Sequence, residues 1–367
     1  MIKQPRFKIA LVGDKLSGGG AERVQAQLSF YFESKNIEVH HIIVQDVVTY
    51  DYAGTLFNMG TLKDTKNGIS NKWFRFKALK KYLTENQFDF IIDFRVKNNF
   101  FQEFYIANFL YQSPFVMTIR SFDTRFYFPK QLFLAKRIYQ KAYGIVTVSQ
   151  QLRDKIVADY GYKNVQAIYN PVNVEQIEAQ SKAFVPFDFP YIFGIGRMHE
   201  IKQFDHLIHA FDRSSAKERG FKLVLMGDGE LKSHLQDLVQ RKNMEENVVF
   251  LDYQANPFPY FRGAHITALT SKNEGFPNVL IESLACETPV VAYDCESGPA
   301  EIIIQNENGI LVENQNLDEM TQAIETMLTD EAFYKHCKSK TLESIKRFDF
   351  ETIGAQWLDF LKIPVNK

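Results

Sequence analysis

The sequence predicts an α/β chain in two halves of similar size, each a parallel sheet covered by helices. Three observations carry that prediction. Short apolar runs without strict apolar–polar alternation recur between helical stretches, as strands buried on both faces require. The pattern restarts after residue 180, and each half opens with a strand that runs into a glycine-bearing turn, at Gly13 and at Gly194–Gly196. With 367 residues, 45% of them apolar and 33 of them Phe, the chain has material for two cores and is too hydrophobic to be disordered.

In the first half strands are expected at 7–13, 39–46, 88–94, 114–121 and 142–149, with helices over 21–35 and 75–86. The stretch 184–190, broken by Pro186 and Pro190, leads into the second half. There the strands fall at 191–197, 221–229, 247–253, 265–270, 289–294 and 309–312, with a helix over 204–214. The domains are drawn at 1–178 and 179–349. A closing helix at 350–361 can end on either lobe, and 350–367 is assigned to the first. Two Rossmann-like domains of this kind, their sheets facing each other, would place a ligand beyond the carboxyl ends of the strands, in the cleft between them.

Composition narrows the class. Three cysteines without a C-x-x-C pair imply a reducing compartment and no structural zinc. The N-terminal apolar run is too short for a secretory signal, and no stretch approaches the roughly 18 apolar residues of a membrane span. A soluble, cytoplasmic protein is expected. The net charge of −1 conceals an asymmetry: residues 1–170 hold 24 Lys and Arg against 14 Asp and Glu, and the remainder 19 against 30. Either the first half faces an anionic surface (a membrane, a nucleic acid or a phosphorylated substrate), or two oppositely charged lobes attract each other.

Three segments carry chemistry. Gly18-Gly19-Gly20 follows the first strand and precedes a helix, where backbone N–H groups can approach an anion; a flexible turn without a ligand is the alternative. It is not the dinucleotide fingerprint, since the run from Gly13 lacks that motif's central glycine. Gly194-Ile195-Gly196-Arg197, with Lys202 beyond it, offers a guanidinium fork and an ammonium suited to a diphosphate, or else two solvated loop cations. The most informative segment runs from Glu274 to Glu282. Pro277 and Asn278 suit a helix entry, and Gly275 and Phe276 let backbone amides near 276–279 turn toward a ligand. Glu282, one turn into that helix, leans back toward its start, so both carboxylates can face one ligand. Simple compensation of the helix dipole explains Glu282 poorly and Glu274 not at all.

The segment SKNEGFPNVLIESLACETPVVAYD with its two glutamates eight apart, together with GIGRMHEIK, VLMGDG and the N-terminal SGGGAERV, resembles the retaining glycosyltransferases of family 4, with the GT-B fold. Each piece alone is weak; the ordered set spans nearly the whole chain. The resemblance implies a nucleotide-sugar donor whose diphosphate is bound by Arg197 and Lys202, with Gly196 beside them. Glu282 would take the ribose hydroxyls, Glu274 the donor sugar, and the amides of Phe276, Asn278 and Val279 flanking Pro277 the phosphates. The Gly18–Gly19 loop would approach from the other lobe, and Tyr253 would bracket the base. No Asp-x-Asp metal motif occurs, so no metal and no cofactor are expected.

One position departs from the family pattern. Where many members carry a histidine, TIRSFD places Arg120, a feature shared by members that build bacterial surface polysaccharides, which also resemble CESGPAEII at 295–303. Arg120 is expected to contact a donor hydroxyl or an acceptor phosphate. His206 and His209 share a helix face without a third ligand and are expected to be surface residues; Cys286 and Cys295 are expected to be buried. Lys130, Lys136, Arg137 and Lys141 interleave with Phe128, Phe133, Ile138 and Tyr139, either lying on an anionic bilayer or forming an amphipathic helix over the core.

The expected function is therefore retaining transfer of a hexose or N-acetylhexosamine from a UDP-sugar to a lipid-linked or polysaccharide acceptor. It would proceed by front-face displacement, with peripheral membrane contact through the basic half. An epimerase or sugar phosphorylase of the same fold is the alternative. A nicotinamide dehydrogenase is disfavoured by the broken glycine fingerprint, and a nucleic-acid partner by the pI near 6.7 and the lack of a recognition motif.

Overall fold

The computed structural model describes residues 7–64, 68–97 and 99–364. It divides into two compact units: unit 1, Met1–Pro171 with Phe350–Lys367, and unit 2, Val172–Asp349. The division falls at residue 171 rather than at 178, because the Val172 N–H donates to the Phe348 carbonyl (2.8 Å) and the Val174–Ser181 helix packs on the Phe258–Gly263 helix.

Unit 1 contains strands β1 (Lys8–Gly13), β2 (Glu38–Ile43), β3 (Thr55–Asn58), β4 (Phe90–Asp93), β5 (Phe115–Ile119), β6 (Gly144–Thr147) and β7 (Val165–Ala167). They form one sheet in the order β3-β2-β1-β4-β5-β6-β7, every neighbouring pair parallel. The central strands β1, β4 and β5 are mostly apolar, as strands buried on both faces are; Ile9, Leu11, Ile92 and Val116 are all within 1% of complete burial. The Phe350–Phe360 helix belongs here. Its apolar side, Ile353, Trp357, Leu358 and Phe360, enters the unit 1 core, and Phe350 meets Tyr31 edge-on at 5.6 Å.

Unit 2 contains β8 (Tyr191–Ile195), β9 (Lys222–Met226), β10 (Val248–Leu251), β11 (Ile266–Leu269), β12 (Val290–Tyr293) and β13 (Gly309–Val312). Their order is β10-β9-β8-β11-β12-β13, again entirely parallel. Counted from its own first strand, the unit 2 sheet has the doubly wound order 3-2-1-4-5-6, and the unit 1 sheet has the same order with a seventh strand at its end. The order reverses between β1 and β4 in unit 1 and between β8 and β11 in unit 2. Crossovers leave opposite faces at those points and open a crevice at the strand ends.

β3 and β7 were not expected from the sequence. β3 is short and only partly buried, and β7 has three residues, so neither writes an apolar run. The 130–141 stretch also differs from both readings of it. Only Leu132–Ala135 is helical; Phe128, Ile138 and Tyr139 point into the core, while Phe133 is exposed. Cys286 and Cys295 are buried as expected, and burial pushes the Cys295 thiol up to about 12.

Candidate active site

The switch point of unit 2 is where the predicted site residues gather. After β8 the chain passes Gly196 and Arg197, then makes one short helical turn, Glu200–Lys202, started by His199, whose Nδ1 accepts from the Ile201 N–H. After β11 the Thr270 hydroxyl donates to the carbonyls of Lys202 (3.1 Å) and Gln203 (2.8 Å), and the Lys272 N–H donates to Ile201 (2.8 Å). The two strand ends are thus stitched together. The product of that stitching is an ion pair: Lys202 Nζ lies 2.5 Å from Glu274 Oε1, both side chains largely buried.

The turn carrying Glu274 is held from the other side as well. The Glu274 N–H donates to Glu296 (3.1 Å), and the Ser297 hydroxyl donates to the Gly275 carbonyl (2.7 Å). Gly298, at φ +111°, presses against this turn, and a Cβ there would stand 2.4 Å from Pro277 Cδ. Only glycine tolerates both the conformation and the approach. Phe276 is buried beneath, edge-on to Phe348 at 5.5 Å, and Pro277 precedes the Asn278–Ala285 helix as its cap. Pro277 makes no side-chain cap hydrogen bond, and the helix start carries the positive end of its dipole. Asn278, Val279 and Glu282 are half-buried at this start and one turn in.

Arg197 does not join the ion pair. Its guanidinium is 76% exposed and reaches Glu230 at 3.8 Å, while His199 Nε2 lies 3.3 Å from the same carboxylate. The Arg197 loop is braced by β9: the Gly196 N–H donates to Met226 (3.0 Å) and the Met198 N–H to Asp228 (2.8 Å). A Cβ on Gly227 would fall 2.0 Å from the Gly196 carbonyl oxygen, which is why this turn is glycine. Tyr253 follows β10 and is 68% exposed.

In unit 1 the expected residues lie at that unit's own switch point. Gly18 takes φ +73°, and Gly19 leads into the Gly20–Ser34 helix with the Glu22 carboxylate folded back over it. Burial raises the Glu22 carboxyl above its ordinary range. Arg120, at the end of β5, is held on three sides. Its guanidinium donates to Asn170 Oδ1 and stands 5.5 Å over the Phe94 ring, and its backbone N–H donates to the Tyr127 hydroxyl (3.2 Å). Burial pulls the guanidinium down to about 10, so it stays protonated at neutral pH.

Sequence reasoning missed the buried charges at the end of β4. Arg95 donates to Asp93 (2.7 Å) and to Glu103 (3.0 Å); the Tyr111 hydroxyl donates to Asp93 (3.0 Å); Lys97 lies 3.7 Å from Asp93 and faces the Tyr127 ring. The available signal was two cations in a segment, FRVK, directly after a predicted strand. Among the described residues no group of three or more His, Cys, Asp or Glu is placed to hold a metal ion. His206 Nδ1 instead pairs with the Tyr293 hydroxyl at 3.0 Å.

Comparison with known proteins follows the same division. Residues 18–176 match the model of Glycosyltransferase Family 4, and residues 175–343 that of Glycosyl transferases group 1. The chain is 31% identical over 369 aligned positions, covering 96% of itself and 99% of its relative, to the N-acetylgalactosamine-N,N'-diacetylbacillosaminyl-diphospho-undecaprenol 4-alpha-N-acetylgalactosaminyltransferase of Campylobacter jejuni. In fold it is similar to Anabaena Alr3699/HepE, solved in complex with UDP (TM-score 0.76, 19% identity, 97% and 100% of the two chains). It is likewise similar to TarM (TM-score 0.79, 16% identity, 98% and 100%).

Proposed function

The chain belongs to the family-4 glycosyltransferases of the GT-B fold, and from that premise we propose that it transfers a hexose or N-acetylhexosamine from a UDP-sugar to a lipid-linked or polysaccharide acceptor. The observation that carries this reading is the Lys202–Glu274 pair at the carboxyl ends of β8 and β11, with the Asn278–Ala285 helix following the same turn as Glu274. An ammonium, a helix N-terminus and a carboxylate at one switch point are the groups needed to hold a diphosphate and a sugar hydroxyl side by side. The relative that acts on a diphospho-undecaprenol acceptor supports the acceptor class.

The roles are those the family resemblance implies, and the charges at the site support them. Lys202, with Arg197 swinging from Glu230, neutralises the diphosphate and stabilises the negative charge it gains on leaving. Glu274 accepts from hydroxyls of the donor sugar and Glu282 from the ribose; the amides at Phe276, Asn278 and Val279 complete the phosphate cradle. Tyr253 stacks on the base. In unit 1, Gly18 and Gly19 supply backbone donors, and Arg120, already desolvated, supplies a fixed positive charge for a donor hydroxyl or acceptor phosphate.

In the proposed step the bond from the anomeric carbon to the β-phosphate oxygen breaks and the bond to the acceptor oxygen forms on the same face. The acceptor proton passes to the departing phosphate. Retention results, in keeping with the α-linked product named for the relative. Lys202, Arg197 and the helix dipole take the part a divalent metal plays in other transferases, so transfer is expected to persist in EDTA.

The test is calorimetric titration with UDP, GDP, ADP and NAD, with and without EDTA, followed by the matching sugar nucleotides. UDP is expected to bind regardless of EDTA, and Lys202→Ala to weaken it by roughly tenfold to a hundredfold, about the 1.4–3 kcal/mol of a charge-assisted contact. Glu274→Ala should keep UDP affinity and lower transfer by roughly two to three orders of magnitude. Binding of NAD alone, or of no nucleotide, overturns the assignment.

A further inference from the structure

Four of the large exposed aromatic side chains of unit 1, Trp73, Phe101, Phe104 and Phe109, are joined by ring contacts. Trp73, on the outer face of the Ile69–Asn86 helix, is 52% exposed and meets the Tyr105 ring at 5.9 Å. Tyr105 stacks on Phe109 (5.9 Å), itself 59% exposed, and Phe109 meets Phe104 at 6.3 Å. Phe104 continues through Phe100 to Phe101, 81% exposed. The result is one unbroken aromatic surface built from two adjacent helical segments, where monomeric soluble proteins keep such groups apart.

Cations border it on both sides. Lys77 and Lys80 follow Trp73 by four and seven residues and so share its helix face, and both are exposed. On the far edge Lys141 stands 5.9 Å over the Phe109 ring. Lys81, nearby, is already paired with Glu85 at 3.8 Å and is not counted. Cores of protein–protein interfaces favour aromatics but are depleted in lysine. Rings that seat at the acyl boundary with lysines at headgroup level are the pattern of a lipid interface.

We propose that this surface, Trp73–Tyr105–Phe109–Phe101 with Lys77, Lys80 and Lys141, docks unit 1 onto an anionic lipid bilayer. The inference rests on the reading above that the acceptor is lipid-linked, and it places the contact on a different surface from the 130–141 stretch that the sequence suggested. Among the described residues no helix is long and apolar enough to cross a membrane.

The chain has two tryptophans, Trp73 at 52% exposure and Trp357 at 1%, which makes the contact directly readable. Vesicles of phosphatidylcholine with about 30% phosphatidylglycerol should carry the protein in flotation and shift tryptophan emission to the blue, and phosphatidylcholine alone should do neither. Trp73→Phe should abolish the shift, leaving buried Trp357 unchanged. Lys77→Glu with Lys80→Glu, and separately Phe101→Ser with Phe109→Ser, should each lower vesicle affinity roughly tenfold or more while UDP titration stays as in the parent. Equal binding to neutral vesicles, undiminished binding by both double variants, or a self-associated species that hides Trp73 without lipid overturns the proposal. Loss of UDP binding in the parent protein instead counts against the nucleotide-sugar reading and leaves the vesicle result standing.

Discussion

Lys202 and Glu274 are 72 residues apart in sequence, and each alone reads as an ordinary loop charge. What makes them a pair is Thr270, whose single hydroxyl ties the two strand ends, an effect no local pattern announces. The same holds for Arg95 and Lys97: their spacing after β4 suggests solvated cations, yet Asp93 and Glu103 bury them. Arg120 was legible from TIRSFD, whereas its supports Phe94, Tyr127 and Asn170 come from three separate loops. His41 gives a prediction at this scale. Fully buried on β2 with Gln25 at 3.2 Å, it is driven down to about 4 by desolvation. Between pH 6.5 and about 4 the unfolded chain takes up a proton there that the folded chain refuses, so stability falls as pH falls through that window and is intact above it. The loss is roughly 1.4 kcal/mol by about pH 5.5. Denaturant unfolding of a His41→Gln variant should show that slope removed; a slope equal to the parent's would assign acid sensitivity elsewhere.

Among the elements, the strands that line the two switch points were legible because they are buried on both faces and therefore mostly apolar. Edge strand β3, with one partner and water on its flank, leaves no such record, and its pairing with β2 is known only from the register His40–Thr55 to Ile43–Asn58. The Glu274–Glu282 segment was readable as loop then helix, but not the brace behind it, since Ser297 and Gly298 act from a different loop. Gly298→Ala tests the brace. A methyl 2.4 Å from Pro277, on a backbone at φ +111°, should cost about 1–3 kcal/mol and displace the 275–278 turn. Thermal unfolding and turnover together should show a modest loss of stability and a larger loss of transfer; full turnover would mean the turn holds itself.

For the molecule as a whole, each unit encloses a separate core, one around Ile192, Leu223 and Val291, the other around Ile9, Val116 and Trp357. Truncating Trp357, 1% exposed and fitted against Phe94, should therefore cost unit 1 about 3–5 kcal/mol and leave unit 2 unchanged. Calorimetry of Trp357→Ala should show one transition moved and another in place; a single transition shifted as a whole would mean the cores are coupled. The charge polarity read from the sequence is a property of these units: the basic residues accumulate in the one that bears Trp73 and Arg120, the acidic ones in the one that bears Glu274 and Glu282.

The return of the Phe350–Phe360 helix to unit 1 also sets an order of events during synthesis. The first 171 residues leave the ribosome without Ile353, Trp357, Leu358 and Phe360, and their core stays unsealed while the next 178 residues are made. Unit 2, contiguous in the chain, can complete itself as it emerges. The nascent N-terminal half therefore waits with a hydrophobic seam open, and chaperone capture of stalled chains should be strongest for those ending just short of residue 350.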